Sequence, residues 1–346
     1  PPPPPPPPPP PFFQAEDGIR DMPTGLVGSE MCIRDSNNTG ASRESEARLA
    51  GWRAMTQFTE RQGRVIFGVL CFLGLALLSA PAAAEENGAY YQSLQKRLIT
   101  DGFDAAAIRT LYARPEVKFE TKGISLYFVH RESKVHYERY TDQLHIEKAR
   151  VYLQQHQAAF AEAENVYGVD PEVITAIILV ETQLGTLLGS RSVLNTLSTM
   201  ASLSDPKVRN LLWRKIKNTP DLTRAVFDKK AARKSKWAYR ELMAFLRHAE
   251  SEGFDPAEIK GSFAGAMGIS QFMPSNIDTL AKDGNNDGKI DLFDDADAIA
   301  SIAFYLKEHG WQPGIERKKA AKVIYHYNHS DEYVDAILSV TERLKG

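Results

Sequence analysis

Residues 173–185, VITAIILVETQLG, place one acidic side chain, Glu181, near the end of an otherwise apolar run. The pattern predicts a helix buried around most of its circumference. A carboxylate there must be exposed, paired or chemically employed, because an isolated buried one is strongly disfavoured. Asp170 and Pro171 read as an N-cap and a first-turn proline, and Gly185 offers a stop. Taken alone, the segment also fits a core helix whose last turn puts Glu181 in water.

Two downstream stretches bear on that choice. GSFAGAMGISQFMPSNI, residues 261–277, surrounds Gln271 with Gly, Ala and Ser, which let backbone approach backbone or ligand closely. Its glycines do not fit a phosphate loop, and a groove wall for a neutral, hydroxyl-rich ligand suits them better. DGNNDGKIDLFD, residues 283–294, is the most specific local motif. Asp283, Asn285, Asp287 and Asp291 occupy the oxygen-ligand positions of a calcium loop, with Gly288 at the sharp turn, Ile290 at the apolar position and Lys289 ligating through its carbonyl. Asp294 stands where the bidentate glutamate belongs, and Asp297 offers a further carboxylate. The other reading is an Asn/Asp/Gly turn without an ion.

The chain opens with eleven prolines and FFQAEDGIRDMPTGLVGSEMCIRDS, which resembles translated sequencing-adapter read-through; a natural polyproline II tail is the alternative. Residues 1–54 are expected to be a non-native or unstructured leader, with the native start at Met55. Residues 55–84 read as a secretory signal: Arg61 and Arg64, the apolar run 65–80, then small residues for cleavage near Ala84. That run is shorter than the ~20 residues that span a bilayer. The mature chain, 85–346, would be periplasmic, and the membrane would be met only transiently through the signal. Cys32 and Cys71 both precede it, so it has no disulfide, thiol nucleophile or thiolate metal site. The net charge of −2 argues against a chain built to grip nucleic acid.

Residues 85–160 read as a helical N-terminal part, with Asp104 as a cap, although ISLYFV, 124–129, also fits a short strand. Residues 151–166 resume a helical pattern, and 161–346 would form the core. Asp205-Pro206 is expected to stop the helix that follows the Glu181 segment. DKKAARKSKWAYRELMAFLRHAESEGFDP starts basic and then turns amphipathic; the basic run reads as a solvated face, with contact to an anionic partner as the lesser alternative. Residues 296–311 carry an apolar stripe with Tyr305 among Ile299, Ile302 and Leu306. In the closing segment HYNHS, with Asn328 at its centre, fits the lining of a cleft; its histidines do not make a zinc set.

Together, from about Tyr137 onward, YERYTDQ, YGVDPEVITAIILVETQLG, GSFAGAMGISQFMPS, DGNNDGKIDLFDDADAIASIAFYLKEHGW and YNHS resemble the membrane-bound lytic murein transglycosylase B family. Their order and spacing are more specific than any one of them. The resemblance implies a mainly α, lysozyme-like catalytic domain with an EF-hand-like calcium loop and no organic cofactor. It implies a monomer that cleaves the MurNAc-β-1,4-GlcNAc bond of peptidoglycan glycan strands to leave a 1,6-anhydro end. Glu181 matches the family's acid/base; Tyr140, Ser262, Gln271, Tyr305 and Tyr327 match cleft positions; Asp283, Asn285, Asp287, Lys289 and Asp297 match the calcium loop. Leu184 replaces a frequent aromatic residue, and Ile269-Ser270 replaces a more usual Tyr-Gly pair. A goose-type lysozyme-like hydrolase and a calcium-dependent glycan-binding module are the alternatives.

Overall fold

The computed structural model describes residues 82–129, 137–220 and 222–346. The expected leader and nearly all of the expected signal, including its apolar run, lie outside them. No described helix is long and apolar enough to cross a membrane.

The described chain is helical almost throughout. In order come α1 (Ala82–Thr100), α2 (Ala105–Tyr112), α3 (Thr121–Val129), a 3₁₀ turn (Tyr137–Thr141), α4 (Gln143–Gln155), α5 (Gln157–Tyr167) and α6 (Pro171–Thr182). Strand β1 (Arg191–Ser192), α7 (Val193–Ser202), α8 (Pro206–Ile216) and α9 (Arg224–Glu252) follow. Then come β2 (Lys260–Gly261), α10 (Pro274–Leu280), α11 (Asp295–Glu308), α12 (Arg317–Tyr327) and α13 (Asp331–Lys345). The two strands form a minimal antiparallel ribbon that pairs Arg191 with Gly261 and Ser192 with Lys260.

Helix α6 is the axis, and every residue from Val173 to Thr182 is buried. Its main partner is α13, with α4, α5 and the 3₁₀ turn on its other sides. Helix α9 packs chiefly on α7 and α10, and α11 on α5. One hydrophobic core runs from Tyr91 to Val340.

Several local readings are corrected. ISLYFV is helical, because α3 buries Ile124 and Phe128 against α7 and α8, and such packing outweighs the strand preference of a β-branched and aromatic run. The pattern over 151–166 is broken at His156, whose backbone (φ −108°) leaves the helical region. Asp205 and Pro206 start α8 rather than stop α7, which has already ended at Ser202. Asp170 has the extended backbone of a cap, but its carboxylate accepts from Trp311 Nε1 and Lys345 Nζ instead of its own helix. Helix α6 stops at Thr182, before Gly185, because Gln183 and Leu184 both turn left-handed (φ 48° and 60°).

Candidate active site

That left-handed exit lays the chain beside the small-residue stretch. Thr182 Oγ1 donates to Ile269 O and accepts from the Gly185 amide, so the last turn of α6 is pinned to the 261–273 loop. The loop needs its glycines. A Cβ on Gly189 would lie 2.1 Å from Gly261 O, and one on Gly261 the same distance from Ala266 O. At Gly268 (φ +73°) a Cβ would lie 2.4 Å from Leu292 O. The expected groove wall is therefore backbone packed on backbone.

Glu181 sits at this junction and is only 7% exposed. Burial pushes its carboxyl up to about 7, and the Tyr333 hydroxyl beside it holds that rise back. Among the described residues no carboxylate figures among the influences on Glu181. Three tyrosines feel its charge: Tyr137 on the 3₁₀ turn, Tyr327 at the end of α12 and Tyr333 in the first turn of α13. Burial, then the neighbouring Glu181, holds all three phenols far above their ordinary range. The rings of Tyr137 and Tyr333 meet edge to face at 5.8 Å. Each hydroxyl therefore remains a neutral donor next to an acid poised to lose its proton.

The expected cleft residues hold different ranks. Tyr327 is in the group around Glu181, and its hydroxyl donates to Ser270 O at 2.6 Å. Asn328 is buried, and its side chain tempers the rise on Tyr137. Gln271 has a left-handed backbone (φ 49°); its Nε2 donates to Gly268 O, which leaves Oε1 buried without a protein partner. Ser262, Tyr140 and Tyr305 stand one layer back. Ser262 Oγ accepts from the Ala264 and Ala266 amides and so shapes the loop. Tyr140 is fully buried behind Tyr137 and accepts from Arg139. Tyr305 donates to His326 O, stacks on His309 and supports the Tyr327 ring edge-on. Tyr137 and Tyr333 were not among the residues expected from sequence.

The acidic loop joins α10 to α11 and is bound to the wall of the site, because Ile269 N donates to Leu292 O at 2.7 Å. Its donors are all oxygen, as a hard cation requires. Asp283 accepts from the Asp287 and Gly288 amides, Asn285 Oδ1 from Asp287 and Asp287 Oδ1 from Lys289. Asp291 accepts from Phe293. Buried Asp297 accepts from Gly284, Asn285 and Asp291, and Asp294 caps α11 through the Ala296 and Asp297 amides. Among the described residues no three Asp, Glu, His or Cys side chains gather as metal ligands. The donor chemistry fits calcium, and the carboxylates that accept from the loop's own amides keep further lone pairs.

The transglycosylase SLT domain family matches residues 86–322, starting well ahead of Tyr137. Membrane-bound lytic murein transglycosylase B of Escherichia coli strain K12 is 38% identical over 169 residues, 49% of this chain and 39% of that protein. The chain thus spans about two-fifths of the length of the curated relative it matches. Among solved structures, the E. coli lytic transglycosylase Slt35 in complex with bulgecin A is similar, with a TM-score of 0.59 and 25% identity over 75% of this chain and 93% of that one. Slt35 in complex with calcium gives the same score and identity over 74% and 92%.

Proposed function

The chain belongs to the transglycosylase SLT domain family, and from that premise we propose that it is a lytic transglycosylase of peptidoglycan in which Glu181 acts first as acid and then as base. The carrying observation is the buried Glu181 carboxyl, pushed up to about 7 among neutral phenols, with no carboxylate of the described residues acting on it. Most glycosidases use two carboxylates, one as acid and one as nucleophile or base. One suffices when the substrate supplies the nucleophile, and N-acetylmuramic acid carries both an N-acetyl group and a 6-hydroxyl within reach of its anomeric carbon.

Glu181 donates its proton to the glycosidic oxygen as the bond to the anomeric carbon breaks. The N-acetyl oxygen stabilises the developing cation; the Tyr333 hydroxyl would donate to a substrate oxygen, and the unpartnered Gln271 Oε1 would accept from a substrate hydroxyl. Glu181, now a carboxylate, takes the proton of the 6-hydroxyl, whose oxygen closes on the anomeric carbon. The products are a GlcNAc end and a 1,6-anhydro-MurNAc end, and Glu181 is again protonated. Water must be kept out for closure to win over hydrolysis, which gives the tight backbone wall a chemical purpose.

Mass spectrometry of products from purified sacculi tests this reading. Anhydro ends are expected, and reducing muramic ends would indicate the lysozyme-like hydrolase. Glu181→Gln is expected to lose ~10²–10⁴-fold activity. Retention of near-full activity would dismiss Glu181 as the acid, and the absence of cleavage by wild type would favour the glycan-binding module.

The Slt35–calcium complex supports a second reading, in which the 283–297 loop takes a structural calcium. Asp283, Asn285, Asp287, Asp291, Asp297 and the Lys289 carbonyl would hold it, while Asp294 keeps its place as the α11 cap. The ion would supply charge compensation and no chemistry. We also read the mature chain as exported to the periplasm with residues 55–84 removed, for which N-terminal sequencing of the exported protein should find Glu85.

A further inference from the structure

Residues 206–240 carry twelve Lys and Arg against two Asp, in a chain whose net charge is −2. They lie on α8, on the turn after it and on the first half of α9. On α9, Lys229, Arg233, Lys236 and Arg240 follow at spacings of four, three and four, which stacks them on one helix face. Phe227, Ala231, Ala238 and Leu242 fill the opposite, buried face. Lys229, Lys230, Lys236 and Arg240 are exposed, and so are Arg214, Lys215 and Lys217 on and just beyond α8.

Apolar groups stand among these cations. Val226 is 42% exposed on the outer side of α9. Trp213 is half-buried on α8, with the Arg224 guanidinium 5.6 Å from its ring centroid. Asp228, the described acid of this stretch, is shared by Arg209 and Arg224. The cluster also lies away from the acidic loop. At its far end α9 reaches the acidic loop, where Glu252 accepts from the Ile290 amide. Positions 229–240 lie roughly 20–35 Å back along the helix from Glu252, at 1.5 Å per residue.

We propose that this α8–α9 face docks on an anionic lipid bilayer, beyond any transient engagement of the leader. An extended array of cations suits a surface that is negative everywhere, and each Lys or Arg near such a surface adds to the attraction. The exposed valine and the tryptophan edge suit a partner with an apolar layer just beneath its charges. The carboxylates of murein stem peptides match the charge but offer no such layer.

Co-sedimentation of the full chain with vesicles of pure phosphatidylglycerol and of pure phosphatidylcholine tests the proposal. Retention is expected on phosphatidylglycerol, falling steeply with salt. The triple variant Lys229→Glu, Lys236→Glu, Arg240→Glu should bind at least about tenfold more weakly. Lys318→Glu, Lys319→Glu, Lys322→Glu, three reversals on exposed positions of α12, should leave binding unchanged. Every variant keeps the apolar run 65–80, so differences between them report on the folded faces. If the α9 variant loses its circular dichroism, Lys215→Glu, Lys217→Glu, Lys230→Glu repeats the test through other side chains. The proposal is overturned by equal loss in the α12 control, or by α9-face variants that keep the wild type's retention on phosphatidylglycerol. Loss of binding to purified sacculi with vesicle binding intact would assign the face to the wall polymer instead.

Discussion

At Glu181 the folded protein keeps a proton that the unfolded chain releases. Its carboxyl is held up to about 7 against an ordinary value of 4.5, because burial opposes the charged form. Between those values the native state binds more protons, so this residue's contribution to stability declines as pH rises through the window and is level above it. Glu181→Gln should therefore gain about 3 kcal/mol relative to wild type on going from pH 4 to pH 8, measured by urea unfolding. An unchanged difference would mean that the carboxyl is not desolvated. Tyr333 works the other way, since its hydroxyl favours the carboxylate. Tyr333→Phe should raise the Glu181 pKa and move the alkaline limb of the pH–rate profile to higher pH; a limb that stays put or moves down counts against that contact. Glu181 is legible in the sequence because a charge inside an apolar run demands an explanation. Tyr137 and Tyr333 are not, because a tyrosine beside apolar residues on an amphipathic segment reads as core, and nothing local says that 3₁₀ turn and α13 meet at α6.

Between elements, the junction of the 261–273 loop with the acidic loop turns on Gly268. A methyl group there would meet the Leu292 carbonyl at 2.4 Å on a backbone at φ +73°. Gly268→Ala should cost about 2 kcal/mol or more. Gly288 (φ +85°) has nothing within 4 Å of an added Cβ, so Gly288→Ala should cost only about 1 kcal/mol of backbone strain. Paired thermal melts separate the two, and equal losses would show that the carbonyl contact is immaterial. The Ile124–Val129 helix marks the limit of pattern reading at this scale. Its side chains prefer strand, and only docking on α7 and α8, contributed by residues far along the chain, makes a helix the better burial.

Across the whole molecule, the N-terminal helices are tied to the interior by buried hydroxyl pairs, Tyr91 with Thr199 and Tyr112 with Ser198. If the acidic loop takes calcium, melts with calcium and with chelator should differ by RT ln(1 + [L]/Kd), and Asp287→Ala should abolish the difference. Coincident melts would leave the loop as a turn. The pairing of α6 with α13 also sets an order of events. On a ribosome Glu181 is made 152 positions before Tyr333, a delay on the order of ten seconds at ordinary elongation rates. Until α13 arrives, α6 lacks its main packing partner, and the burial that raises the Glu181 carboxyl is incomplete. If Glu181 is the acid proposed above, an activity assembled from such distant parts would stay silent in every unfinished copy, and the chain could be synthesised without its chemistry.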